Sequence, residues 1–166
     1  MRVAAFLAVL CASAFSASPL SAQTIDIQQH DSYYSFVRPQ PHTYTRHVNI
    51  SLDAVETRVA NGLRCASKFS SLSEANYRIN SWMTDWKSIA VDNLVTYGVD
   101  YEQRVYHEEN LPNYGWTYIG PKSGISSPGW YYANAFTIVI MKVPRTVKWD
   151  QYVILTAYPN VKGWCF

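Results

Sequence analysis

The spacing of apolar positions changes partway along this chain, and the change separates a helical part from a strand part. Leu52, Val55, Val59 and Leu63 recur at intervals of three and four, the stripe that one buried helix face requires. Ser51 precedes them as an N-cap, its hydroxyl able to accept an amide hydrogen left over at a helix start. Gly62 weakens the other end. A second stripe, Leu72, Ala75, Ile79, Trp82 or Met83, Trp86 and Ile89, follows Ser71-Leu-Ser-Glu74. That quartet fits a capping box, in which Ser71 and Glu74 satisfy each other's free amides. Tryptophans at this spacing read as core, not as a cofactor box.

After Asp92 alternation takes over. Val95, Tyr97, Val99 and Tyr101 predict one strand, extending toward Val105, and Trp116 to Ile119 a short second one. Phe136 to Val143 is a β-branched apolar run suited to a central strand. Pro144 to Gln151 makes a turn, and Tyr152 to Tyr158 returns antiparallel. Helices first and strands later predict an α+β domain, with N-terminal helices packed on an antiparallel β-sheet.

The ends read differently. Residues 1–22 have one charge, Arg2, then an apolar run and small residues up to Ser21-Ala22, the pattern of a cleaved secretory signal. A membrane anchor is the alternative, but the run is short and ends in Ser and Pro. Residues 23–40 read as a polar leader of low order, with Tyr33, Tyr34 and Phe36 available to dock on the domain. Residues 41–166 then form one domain. The expectation is a secreted or periplasmic monomer with no membrane segment after cleavage.

Charge changes the picture little. Without Arg2 there are 13 basic residues (14 minus 1) against 12 acidic ones, so tight non-specific nucleic-acid binding has no support from net charge. Basic residues do gather between Arg38 and Arg78, and acidic ones at Asp100, Glu102, Glu108 and Glu109. Cys65 and Cys165 are the two cysteines left after the signal. In an oxidising compartment they pair only with each other, closing a loop of about 100 residues worth up to roughly 4.7 kcal/mol; two free thiols are the alternative.

Two distant segments hold the candidate chemistry. Pro41 to Arg58 offers His42, His47, Arg46 and Arg58, and Leu155 to Pro159 places Thr156 and Tyr158 on one face of a strand. Imidazole transfers protons near neutral pH, guanidinium binds phosphate through a planar fork, and a hydroxyl and a phenol donate hydrogen bonds. No HExxH, CxxC or paired-carboxylate spacing supports a metal, and no GxGxxG, P-loop or GxSxG is present. Asn49-Ile-Ser51 is a glycosylation sequon that would crowd His47 if used.

HTxxRHV at His42 to Val48, an arginine eleven residues after His47, ASxFxxLxxA at Ala66 to Ala75 and a closing LTAYP stand in order. Together they resemble the bacterial RNase A-like toxin domain at the C-termini of contact-dependent inhibition proteins. This chain has Pro41 and Asn49 where the family usually has Gly, and 93–132 does not align readily. The resemblance implies an RNase A-like fold and a metal-independent endoribonuclease without a cofactor, cleaving single-stranded RNA through a 2′,3′-cyclic phosphate. It implies His47, Arg58, Thr156 and Tyr158 as the catalytic set and an immunity protein as partner. His42 is then a second proton-transfer residue or one that orients His47, and Arg46 a substrate-phosphate contact. In one continuous helix His47 and Arg58 would lie roughly 16 Å apart, so the site needs His47 in a non-helical segment that folds back. A secreted module that binds carbohydrate or nucleobases on its aromatic residues, without catalysis, is the alternative function. His30 and His107 read as bystanders in polar loops.

Overall fold

The computed structural model describes residues 24–113, 115–146 and 151–165, without the side chains of 85–88. The signal segment over 1–22 lies outside the described residues, as do half of the turn before β6 and Trp86's side chain. The architecture is α+β. Helix α1 (Ile27–Tyr33) opens the described chain, followed by a single π-helical turn at Tyr44–Val48, α2 (Leu52–Ala60), β1 (Cys65–Phe69) and α3 (Leu72–Trp86). A second π turn leads from α3 into α4 (Asp92–Tyr97). The strands β2 (Gln103–Glu109), β3 (Gly115–Ile119), β4 (Gly129–Tyr132), β5 (Ala135–Lys142) and β6 (Tyr152–Asn160) complete it. They form two antiparallel three-stranded sheets, ordered β1-β3-β4 and β2-β5-β6.

The stripes explain the packing. Ala75, Ile79, Trp82 and Met83 of α3, with Ala90, Val91 and Leu94, cover one face of the second sheet through Phe136, Ile138, Ile140, Ile154 and Ala157. Val55 and Val59 of α2 rest on the first sheet at Ala66. The Ser51 hydroxyl accepts from Ala54 N at 3.2 Å, the expected cap. Only half of the capping box forms. Ser71 Oγ accepts from Glu74 N at 3.1 Å, but the Glu74 carboxylate turns to Arg78 Nε at 3.0 Å. Gly62 sits at φ 110° just past α2, and Leu63 is exposed beyond the helix.

Three expectations need correction. The leader expected over 23–40 is not loose across its described residues 24–40: Asp26 caps α1, Ile27 is fully buried, and Tyr34 and Val37 pack on Met141, Val143, Val153 and Leu155. Tyr33 and Phe36 stay exposed, so only Tyr34 of that trio docks. The alternation from Val95 to Tyr101 is not a strand. Val91, Leu94 and Val95 lie at helical spacing and face the core, and that burial outweighs the period-2 pattern of Tyr97, Val99 and Tyr101, all exposed. Ile89, assigned to the buried stripe, is exposed. The sequence reading also lacked β1 and β4, which are short, and β1 carries Ser67 and Lys68 among its apolar residues.

One contact sets the site. A Cβ at Gly115 would meet Lys68 O at 2.6 Å and Pro159 Cγ at 2.7 Å. Only glycine lets β3 press this closely on β1 and on β6 of the other sheet. The seam between the sheets therefore closes around the end of β6.

Candidate active site

The free edge of β6 receives the segment ahead of α2. Thr156 pairs with Val139 and Ile154 with Ile140, so Leu155 bulges out of register. The bulged Leu155 carbonyl accepts from His42 N at 3.0 Å, and the buried Thr43 hydroxyl accepts from Ala157 N at 2.8 Å. Two ends of the chain are joined at this edge. The π turn then carries His47 inward, Asn49 ends it, and α2 restarts at its own cap. His47 thus stands on a turn of its own rather than in a non-helical segment. The break at Asn49 to Ser51 is what lets Arg58 fold back, its Nη1 donating to Arg46 O at 3.1 Å.

A cleft of about 230 Å³ results, lined among others by His42, His47, Arg58, Thr156 and Tyr158. The His47 ring stacks on Tyr158, centroids 5.1 Å apart, and lies 6.3 Å from the His42 ring. Its Nδ1 is 3.0 Å from the Ser67 carbonyl on β1. A carbonyl only accepts, so that nitrogen carries the hydrogen and leaves Nε2 as a proton acceptor. Burial drives the His47 pKa down to about 3; the Ser67 carbonyl opposes this, and Arg58, His42 and Arg46 reinforce it. The ring is therefore neutral at physiological pH.

The other groups differ in burial and partners. His42 is partly buried, with Nδ1 3.0 Å from Gln40 O. Its pKa is held below the ordinary histidine value, chiefly by burial and also by Arg46 and Arg58, with the Gln40 carbonyl and Asp31 opposing. Arg58 is lowered by burial and by Arg46, yet a guanidinium stays charged at any working pH. Burial raises the Tyr158 phenol, and the Thr137 hydroxyl pulls it back by hydrogen bonding. Thr156 Oγ1 is buried and makes no hydrogen bond within the described residues, an arrangement that costs stability unless a ligand completes it.

Arg46 does not line the cleft. Its side chain is exposed, while its carbonyl anchors Arg58. Neither bystander histidine is in a loop. His30 lies on α1 beside the buried Asp31, and His107 lies on β2 with Nδ1 2.8 Å from Thr137 Oγ1. Sequence reasoning missed Ser67, Thr137 and Asp31, whose roles come from cross-strand register and buried carbonyls that no local motif marks. Cys65 and Cys165 are joined, Cα atoms 5.7 Å apart, and both border the cleft. Rings of the aromatic segment pair with each other, Trp116 with Tyr132 at 4.3 Å and Tyr118 with Trp130 at 5.3 Å, and Trp130 donates to Glu56. Among the described residues no three His, Cys, Asp or Glu side chains gather as a metal cluster, and no helix is long and apolar enough to cross a membrane.

The fold has a counterpart. The fold is similar to a crystal structure of a CdiA-CT/CdiI complex from Y. kristensenii, with a TM-score of 0.60, 18% identity, and coverage of 72% of this chain and 98% of that one. None of the curated proteins compared matches it. Residues 41–159, from just before His42 to just after Tyr158, match the bacterial CdiA-CT RNAse A domain. On that match over most of its length, the chain belongs to the family of bacterial RNase A-like toxin domains.

Proposed function

We propose that this protein is an endoribonuclease that cleaves single-stranded RNA by metal-independent transesterification. The observation that carries the reading is the meeting of His47, Arg58, Thr156 and Tyr158 around one cleft. RNA brings its own nucleophile, the ribose 2′-hydroxyl, so the protein needs only to move protons and hold charge. His47 takes the 2′-hydroxyl proton on Nε2 while the Ser67 carbonyl holds its other nitrogen. The freed oxygen attacks phosphorus, the bond to the 5′ oxygen breaks, and that oxygen receives a proton. A 2′,3′-cyclic phosphate and a 5′-hydroxyl remain. Arg58 binds the non-bridging oxygens bidentately, and the partnerless Thr156 hydroxyl donates to one of them. Tyr158 keeps the His47 ring in place by stacking. A pKa near 3 makes His47 a weak base in the free protein. The bound phosphate raises it by adding negative charge beside the imidazole and offsetting Arg58.

The secretory pattern of residues 1–22 supports export to the periplasm or medium, and the Cys65–Cys165 bridge suits an oxidising compartment. Family membership and the likeness to a CdiA-CT/CdiI complex support a toxin role with a cognate immunity protein. Incubating the purified protein with single-stranded RNA in the presence of a chelator tests the chemistry. Cyclic-phosphate ends are expected; intact RNA, or cleavage that stops on chelation, would remove the mechanism.

A further inference from the structure

The family match begins at residue 41, yet a buried carboxylate from α1 reaches the π turn that carries His47 and starts two residues after His42. Asp31 is 6% exposed. Its Oδ2 accepts from Tyr44 N, the first amide of the π turn, at 2.7 Å. Its Oδ1 lies 3.4 Å from His30 Nδ1, and His30 Nε2 lies 3.4 Å from the amide of Ile154, two residues before Thr156. Helix α1 is itself clamped to α3, where Asn76 and Asn80 side chains accept from Ile27 N at 2.9 Å and Ile25 N at 2.7 Å. A buried carboxylate is costly unless its charge is used, and the reaction as derived so far does not use it.

We propose that Asp31 is a positioning residue: from α1 its carboxylate fixes the π turn bearing His47 and places negative charge at the backbone two residues past His42, which acts as the general acid. The proposal rests on the ribonuclease reading. It answers a gap in that reading, since the 5′ oxygen departs roughly opposite the attacking 2′ oxygen, where His47 has taken its proton, and needs a proton of its own. His42 is the second imidazole in the cleft. Charges around it come from several elements: Arg46 on the π turn and Arg58 on α2 disfavour its protonated form, and Asp31 on α1 favours it. The His47 ring lies 6.3 Å away, and the Tyr158 phenol of β6 shares the cleft.

Asp31→Asn in the full chain separates charge from shape, because an amide oxygen still accepts from Tyr44 N. kcat and KM for a single-stranded oligoribonucleotide are measured against pH, and the His42 ring is titrated by NMR. In the variant the His42 midpoint falls and kcat near neutrality drops severalfold with it, with KM within about twofold. The pH limb belonging to the acid moves down with the NMR midpoint. His42→Ala and His42→Ala/Asp31→Asn then have equal kcat, because Asp31 acts through His42. An unmoved His42 midpoint overturns the proposal, even if the variant melts earlier, and so does additive loss in the double variant. Should the wild type leave RNA intact while the midpoint still moves, the ribonuclease reading and the general-acid role fall together, and the electrostatic link alone stands.

Discussion

His47 and Thr156 line one cleft, the first on a short π turn and the second on a bulged strand, and they differ in what already holds them. His47 has its Nδ1 tied to the Ser67 carbonyl and its ring stacked on Tyr158. Thr156 has a buried hydroxyl with no bond inside the described residues. A buried polar group that is satisfied contributes to stability, and one left unpaired detracts from it by about 1–3 kcal/mol. The imidazole is thus oriented by the fold, whereas the hydroxyl is held open by the fold at a cost. Both states suit a site for an anion: one group must move a proton reproducibly, and the other must be free to donate when phosphate arrives.

Removing the oriented group has the largest effect. His47→Ala is expected to reduce RNA cleavage by at least about 10³-fold, the upper part of the range for general acid–base catalysis, while circular dichroism stays native. Undiminished cleavage would remove His47 from the chemistry. The same variant isolates a pH effect on stability. The His47 pKa in the folded protein is about 3, below the ordinary value near 6.5. Between those values the unfolded chain binds a proton that the folded one refuses, so stability is lost as pH falls from 6.5 toward 3. The maximum loss is about 5 kcal/mol. Denaturant melts of the wild type should weaken across this window, and those of His47→Ala should weaken less. Parallel curves would mean that the imidazole is not desolvated as its burial indicates.

Thr156→Val tests the other group. The substitution replaces an unpaired hydroxyl by a methyl of similar size, so the domain should gain roughly 1 kcal/mol. Cleavage should fall about 10²-fold, the scale seen when one hydrogen bond to a developing oxyanion is lost. Gain in stability with loss of activity is the signature of a group kept for its ligand. A destabilised Thr156→Val would show instead that the hydroxyl is satisfied in solution, and the contrast with His47 would collapse.

How much of this was legible in the sequence depends on the range of the interaction. α2 and α3 follow from local stripes and caps, and β5 and β6 from apolar runs bounded by turn residues. Pairing of Cys65 with Cys165 and two free thiols both stood open in the sequence, and the bond between them decides for the pair. α1 was hidden because its seven residues bury only Ile27 and Asp31, too few for a stripe. β1 was hidden because it is held by register with β3 rather than by its own pattern. For the site, the ordered motifs supplied His42, His47, Arg58, Thr156 and Tyr158, all of which reach the cleft. They gave no sign of the Leu155 bulge that ties His42 to β6, or of the Ser67 carbonyl that sets the His47 tautomer. Arg46, a phosphate contact by motif, serves the cleft through its carbonyl. Such partners are backbone atoms and cross-strand neighbours, and residue type does not encode them.

The smallest effect is expected at the side chain that packs on His47. Tyr158 stacks on His47 with its ring and hydrogen-bonds Thr137 with its phenol. Tyr158→Phe keeps the stack and removes only the hydroxyl, so His47 stays oriented. Stability should fall by about 1 kcal/mol from the lost hydrogen bond, and cleavage by no more than about tenfold, since a phenol pushed above its ordinary pKa gives up its proton reluctantly. Tyr158→Ala removes the stack as well and should cost more in kcat, because the imidazole is then free to turn. If Tyr158→Phe alone loses about 10³-fold, the phenol is the proton donor to the 5′ oxygen. His42 would be displaced from that role, and the division between an oriented imidazole and a waiting hydroxyl would need a third member.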